Sequence, residues 1–298
     1  MTVIDIPVSG PRLARRVFDN RLVRFFALFI VTIAAYAGAQ ILPIVTLPRI
    51  AAEDRATTAI VLEAVSAIGL LLIYWLCVRQ MEHRRVHELS LRGAPFGIPA
   101  GALIGAGLFA ITIAVLSLMD VAHVGAFNPG QALLAPINMA ILSAIGEEIV
   151  FRGVVFRIFE EMFGTFIALL VSAAFFGLIH MGNPGATVTS GVAIALEAGL
   201  LLAASYAVVR NLWLPIGLHF GWNLAESGIF GSVVSGNAFK GLFSTSLSGP
   251  ELLTGGRFGP EASVVAVAVC AAAALMILTV AIRRGEWRGL RLAINDRS

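Results

Sequence analysis

Charge is what this sequence has least of. Asp, Glu, Lys and Arg make up 13% of its 298 residues, against about 25% in a soluble globular chain. So little polar sequence cannot clothe in water the 58% of the chain that is hydrophobic, and an ordinary cytosolic enzyme is excluded. Lysine is nearly absent, Lys240 standing alone beside 20 arginines, a bias that points to a GC-rich bacterial genome. The net charge is only +3, and the arginines sit beside apolar runs, where they orient a membrane protein; no nucleic-acid partner is expected. The two cysteines, Cys77 and Cys270, each lie inside an apolar run, which excludes a disulfide framework and a thiolate zinc knuckle. Repeats and low-complexity tracts are also missing.

Long apolar runs are what the chain does have, and the mean hydropathy is +0.89. The run from Phe25 to Leu47 exceeds the 7 to 15 residues of a signal-peptide core, so it reads as a retained helix. Further runs long enough for about 30 Å of hydrocarbon at 1.5 Å per residue lie near 58–78, 96–119, 132–156, 164–181, 187–209, 211–231 and 263–282. The expected fold is therefore all-α, a polytopic membrane bundle of about eight transmembrane helices in contact with lipid. A basic segment 1–24 precedes the helical core 25–282, and a basic tail 283–298 follows it. Eight spans put seventeen basic residues on the side of both termini and four (Arg49, Arg55, Lys240, Arg257) on the other. By the positive-inside rule both termini are cytoplasmic, with a bacterial inner membrane as the expected location. The stretches 120–131 and 232–262 read as ordinary loops on the other side. Gly97, Gly101 and Gly105, at four-residue spacing, mark a helix face that another helix approaches closely.

An ionisable group in a bilayer is costly, about 2.5 to 3.5 kcal/mol at mid-helix on insertion scales, and calls for a partner or a function. Glu63, Glu147, Glu148, Arg152, His180, Glu197, His219, Asn223 and Glu226 form the short census of polar residues inside the expected spans. Glu148 and Arg152 have the i,i+4 spacing of a helical ion pair, which is enough to explain both as structural. Glu147 is turned about 100° from Glu148 and must point to a different neighbour. His219 and Asn223 share one helical face and either bond neighbouring helices or grip a substrate oxygen, with Glu226 a further turn along. His180 ends an apolar helix before Gly182, Asn183, Pro184 and Gly185. Together a carboxylate, two imidazoles and an amide make a water-activating and oxyanion-binding set. His83 and His87 share an i,i+4 spacing too, but lack the Glu of a zincin motif and read as a solvated loop.

Glu147-Glu148-Ile149-Val150-Phe151-Arg152, then Phe176 to His180, then His219-Phe220-Gly221-Trp222-Asn223 resemble, in order, the three motifs of the CAAX-processing and bacteriocin-processing (CPBP, or ABI) family of intramembrane proteases. The resemblance covers about 130–230. It implies a membrane endopeptidase acting on a protein or peptide substrate. Glu147 activates water with the help of His180, His219 and Asn223 stabilise the tetrahedral oxyanion, and Glu148 and Arg152 support them. Family members are commonly described as metalloproteases, and Glu147, His180 and His219 would then supply the three ligands of an open zinc site; a metal-free glutamate mechanism fits the same letters. A proton-coupled transporter would also bury Glu and His, but would more often show internal repeats. A silent immunity or scaffold protein would tolerate loss of a motif residue, and none is lost. One tension stands: straight helices set His180 about six residues nearer the outer surface than Glu147, so either a helix is tilted or displaced, or a span boundary is wrong.

Overall fold

The computed structural model describes residues 18–290, so much of both basic terminal segments, with Arg12, Arg15, Arg16, Arg291 and Arg297, lies outside the described residues. The protein is 74% helical with almost no sheet. Helices occupy each of the expected positions: α1 (Arg21–Thr46), α2 (Arg55–Met81), α3 (Ala94–Leu118), α4 (Leu134–Glu148) continued by α5 (Arg157–Phe163), α6 (Thr165–His180), α7 (Val188–Ile194) continued by α8 (Leu200–Val209), α9 (Trp213–Leu224), the one-turn α10 (Glu251–Thr254) and α11 (Val264–Arg283). Capping side chains set several starts: Asn20 accepts from Leu22 N–H, Thr187 and Ser190 form a capping box, and Ser263 accepts from Ala266 N–H. Large apolar side chains such as Phe96, Leu103 and Leu118 face outward, as lipid-facing residues do.

Among the described residues, five helices are long and apolar enough to cross a membrane: Arg21–Arg49, Ala52–Met81, His87–Leu118, Val188–Val209 and Val264–Arg283. Three of the four that carry the motif residues and their neighbours, namely 134–163, Thr165–His180 and 213–229, are not among them. They are shorter, interrupted or loaded with Glu, Arg and His.

Three helices contain a π-helical stretch: Ile149–Phe156 between α4 and α5, Ala195–Gly199 between α7 and α8, and Ala225–Ile229 after α9. Each follows or contains one of the buried acids, and π-helical turns inside α-helices concentrate at functional sites.

The expected span 132–156 is a misreading of this region. The helix continues through its π-turns to Phe163 and reverses at Gly164, whose φ of +87° suits only glycine; a Cβ there would lie 2.3 Å from the carbonyl oxygen of Gly289. Glu147 stands seventeen residues before this turn and His180 sixteen after it. Two antiparallel helices meeting at Gly164 therefore bring both to the same height, and the apparent offset between them arose from the misplaced boundary.

The two ends of the bundle differ in kind. One gathers charge: Arg24 pairs with Glu161 at 2.6 Å, Arg157 bonds Glu82 and Glu161, Arg84 bonds Glu82 and Glu88, and Arg210 bonds Glu160 and Glu286. The other end gathers loops. Here β1 (Ala122–Val124) pairs antiparallel with β4 (Thr245–Leu247), and β2 (Val233–Val234) with β3 (Asn237–Ala238). The stretches expected to be ordinary loops are instead paired to each other. His83 and His87 are exposed in the connection from α2 to α3, at the charged end.

Candidate active site

Position in depth is set first by backbone contact. Gly101 and Gly105 of α3 lie so close to α9 that a Cβ would sit 2.3 Å from Leu214 O and 2.0 Å from Leu218 O, while a Cβ at Gly217 or Gly221 of α9 would sit 2.3 Å from Ile98 O or 2.1 Å from Ala102 O. The glycine face expected on α3 thus meets a second one on α9, and α9 is the helix that carries His219 and Asn223. No side chain separates the two backbones, so their register is fixed by shape.

Glu148 and Arg152 are fully buried and paired at 2.9 Å. Glu148 Oε1 also accepts from His219 Nδ1 at 3.0 Å, since an imidazole nitrogen facing a carboxylate carries the proton. Arg152 Nη2 donates to the carbonyls of Gly199 at 3.0 Å and Ala198 at 3.3 Å, which lie in the π-helical stretch where i−4 bonding is interrupted. Its guanidinium stacks on Phe176, 4.7 Å from the ring centroid. The pair is therefore more than a neutralised couple: it orients one imidazole and ties α4 to the 188–209 helix. Arg152, counted above with the terminal-side charges, is a buried structural cation and is withdrawn from that count.

Glu147 points elsewhere, as its rotation on the helix requires. Its Oε2 lies 3.8 Å from His180 Nε2 and 3.9 Å from His219 Nε2 and has no hydrogen-bond partner in the protein. His180 Nδ1 donates to Phe176 O at 2.7 Å and His219 Nδ1 to Glu148. With both Nδ1 atoms engaged elsewhere, the two Nε2 atoms are the ring edges left to face the Glu147 carboxylate. Three polar atoms, Glu147 Oε2 and the two Nε2 atoms, thus converge on one point. The donor types are those of a catalytic zinc site. As arranged, however, among the described residues no three His, Cys, Asp or Glu side chains form a group that could hold a metal ion.

These residues line a cavity of about 280 Å³ together with Asn223, Glu197 and, from the paired loops, Val234, Ser235, Asn237, Phe239 and Glu261. Asn223 Nδ2 donates one proton to Ser143 Oγ at 3.0 Å, which fixes the amide plane. Glu197 accepts from Cys270 Sγ at 3.3 Å, and Glu226 accepts from Trp222 Nε1 at 3.1 Å. Glu63 is buried in α2 and does not line the cavity. Tyr36, Gln40, Ser143, Ser235 and Glu261 escaped the sequence reading. Tyr36, Gln40 and Ser143 carry no charge that would flag them in an apolar helix, and Ser235 and Glu261 stand in a stretch that reads as a loop.

Residues 129–225 match the family model described as Rce1-like, type II CAAX prenyl endopeptidase, and this segment is a domain of the CAAX-protease family. It contains Glu147, Glu148, Arg152, His180, His219 and Asn223, whereas α1, α2, α3 and α11 lie outside it. No curated protein and no solved structure matches the chain.

Proposed function

We propose that this chain, with its Rce1-like domain over 129–225, is an intramembrane endopeptidase that hydrolyses a peptide bond in a membrane-associated protein or peptide. The observation that carries this reading is the meeting of Glu147 Oε2 with the Nε2 edges of His180 and His219 in one cavity. Separations of 3.8 and 3.9 Å suit groups that share a bound water. Glu147 takes a proton from that water as its oxygen attacks the scissile carbonyl. His180, facing the same carboxylate oxygen, holds the water beforehand and passes the proton on to the leaving amine. The oxyanion that forms is met by the N–H of the Asn223 amide, with His219 at its side in the form of the ring that carries a proton on Nε2. Donors preset around a water-poor site supply several kcal/mol of such stabilisation.

The cavity is roofed by residues of the loop end, opposite the arginine-rich end. With the arginines cytoplasmic, substrate enters from the outer side, which favours an extracytoplasmic peptide segment over a cytoplasmic C-terminal tail. The test is cleavage by purified protein in liposomes of membrane-tethered peptides displayed on either face. Wild type is expected to cleave at the loop end and Glu147→Gln to be inert yet folded; full activity in that variant would remove the mechanism.

A further inference from the structure

The two oxygens of Glu147 are treated differently by the fold, and the difference originates outside the matched domain. Oε2 faces the imidazoles. Oε1 accepts a hydrogen bond of 2.9 Å from the hydroxyl of Tyr36 on α1. That hydroxyl in turn accepts from Gln40 Nε2 at 3.0 Å. An amide nitrogen only donates and a phenol has one proton, so the direction of the chain is fixed: Gln40 to Tyr36 to Glu147. Bonds linked in this way strengthen one another.

An independent observation on α4 points to the same contact. A Cβ at Gly146 would stand 2.2 and 2.4 Å from Cδ2 and Cε2 of the Tyr36 ring. No other residue at position 146 leaves room for the ring where it lies. Glycine immediately before the central carboxylate thus provides a slot, and the aromatic ring of another helix fills it.

We infer that Tyr36, held by Gln40 and seated against Gly146, is the positioning residue that fixes the Glu147 carboxylate with its unpartnered oxygen toward His180 and His219. Without the hydroxyl, the carboxylate is free to rotate about its terminal bond, and only a fraction of molecules hold one of its two equivalent oxygens toward His180 and His219. The inference deepens the protease reading and rests on it for its kinetic consequence, though not for the contact itself.

Tyr36→Phe keeps the ring in its slot and removes one oxygen. In purified protein it is expected to lower kcat about 10- to 100-fold, the size of a lost hydrogen bond to a charged group, with KM and the thermal midpoint in detergent unchanged. Gln40→Leu is expected to lower kcat less, about threefold, and to have no further effect when Tyr36 is already Phe, because its influence passes through the phenol. A Tyr36→Phe enzyme with wild-type kcat, or one altered only in KM and thermal midpoint, would overturn the assignment. An infrared difference spectrum between wild type and Glu147→Gln isolates the Glu147 carboxyl band, and Tyr36→Phe is expected to move it. An unmoved band refutes the contact, whatever the activity. A moved band in a protein that cleaves no peptide leaves the positioning of Glu147 standing and overturns the protease reading alone.

Discussion

Glu147 and Glu148 are adjacent letters with opposite duties, and helical rotation separates them. Glu148 spends Oε1 on both Arg152 and His219, so Glu148→Gln is expected to cost about 3 to 5 kcal/mol by leaving a buried arginine unpaired, read as a lower thermal midpoint, besides loosening His219. Equal midpoints for wild type and this variant would argue that the pair carries no stability. Asn223→Ala leaves the ion pair untouched and is expected to reduce kcat by about 10² to 10³, the range for a lost oxyanion donor, at unchanged midpoint. Metal content separates two chemistries at the same residues. With Glu147 as base, activity persists after stringent chelation and zinc stays well below one per chain. Stoichiometric zinc, lost together with activity, would make Glu147, His180 and His219 ligands and assign the base elsewhere.

At the scale of elements, the helices and the motif residues could be read from the sequence because hydrophobic run length and intramembrane charge are both one-dimensional signals. Their assembly was legible only in part. The close-approach face of α3 is visible as Gly97, Gly101 and Gly105, yet its partner is not, since Gly217 and Gly221 lie within α9 without announcing a contact. The π-helical turns leave no mark in periodicity. Arg157, Glu160 and Glu161 end the apolar run at 156, seven residues before the helix itself ends, and that put His180 at the wrong height. Tyr36 looks like any aromatic in an apolar run. The α3 to α9 crossing gives its own test: with carbonyl oxygens 2.3 and 2.0 Å from where an added Cβ would stand, Gly101→Ala and Gly105→Ala force backbones apart. Each is expected to destabilise by about 1 to 3 kcal/mol, as overpacking does, and to lower kcat by displacing His219 and Asn223. Gly107→Ala on the same helix, where a Cβ meets nothing within 4 Å, is expected to do neither.

The whole molecule is polar along its axis, with ion pairs at one end and the roofed cavity at the other. At the charged end, burial works against ionisation of Glu82, but Arg157 and Arg84 outweigh it and hold the carboxyl below its ordinary value of 4.5. A depressed folded value means that the stabilisation is complete above about pH 4.5 and is lost as pH falls below it. The thermal midpoint in detergent is therefore expected to fall in that acid range, and Glu82→Gln to start lower at pH 7 and lose less on acidification. The same polarity carries an expectation for which way the protein sits in a bilayer. Arg24, Arg84, Arg157, Arg210 and Arg288 all belong to one end, whereas Arg257 and the 232–262 segment belong to the other. Because cytoplasmic loops hold the excess of arginine, a cysteine placed at Ser244 is expected to react with an impermeant thiol reagent from outside intact cells, and one placed at Arg85 only after lysis. Labelling in the reverse pattern would turn the cavity toward the cytoplasm and make a cytoplasmic peptide tail the substrate, with the chemistry proposed for Glu147 and its partners unchanged.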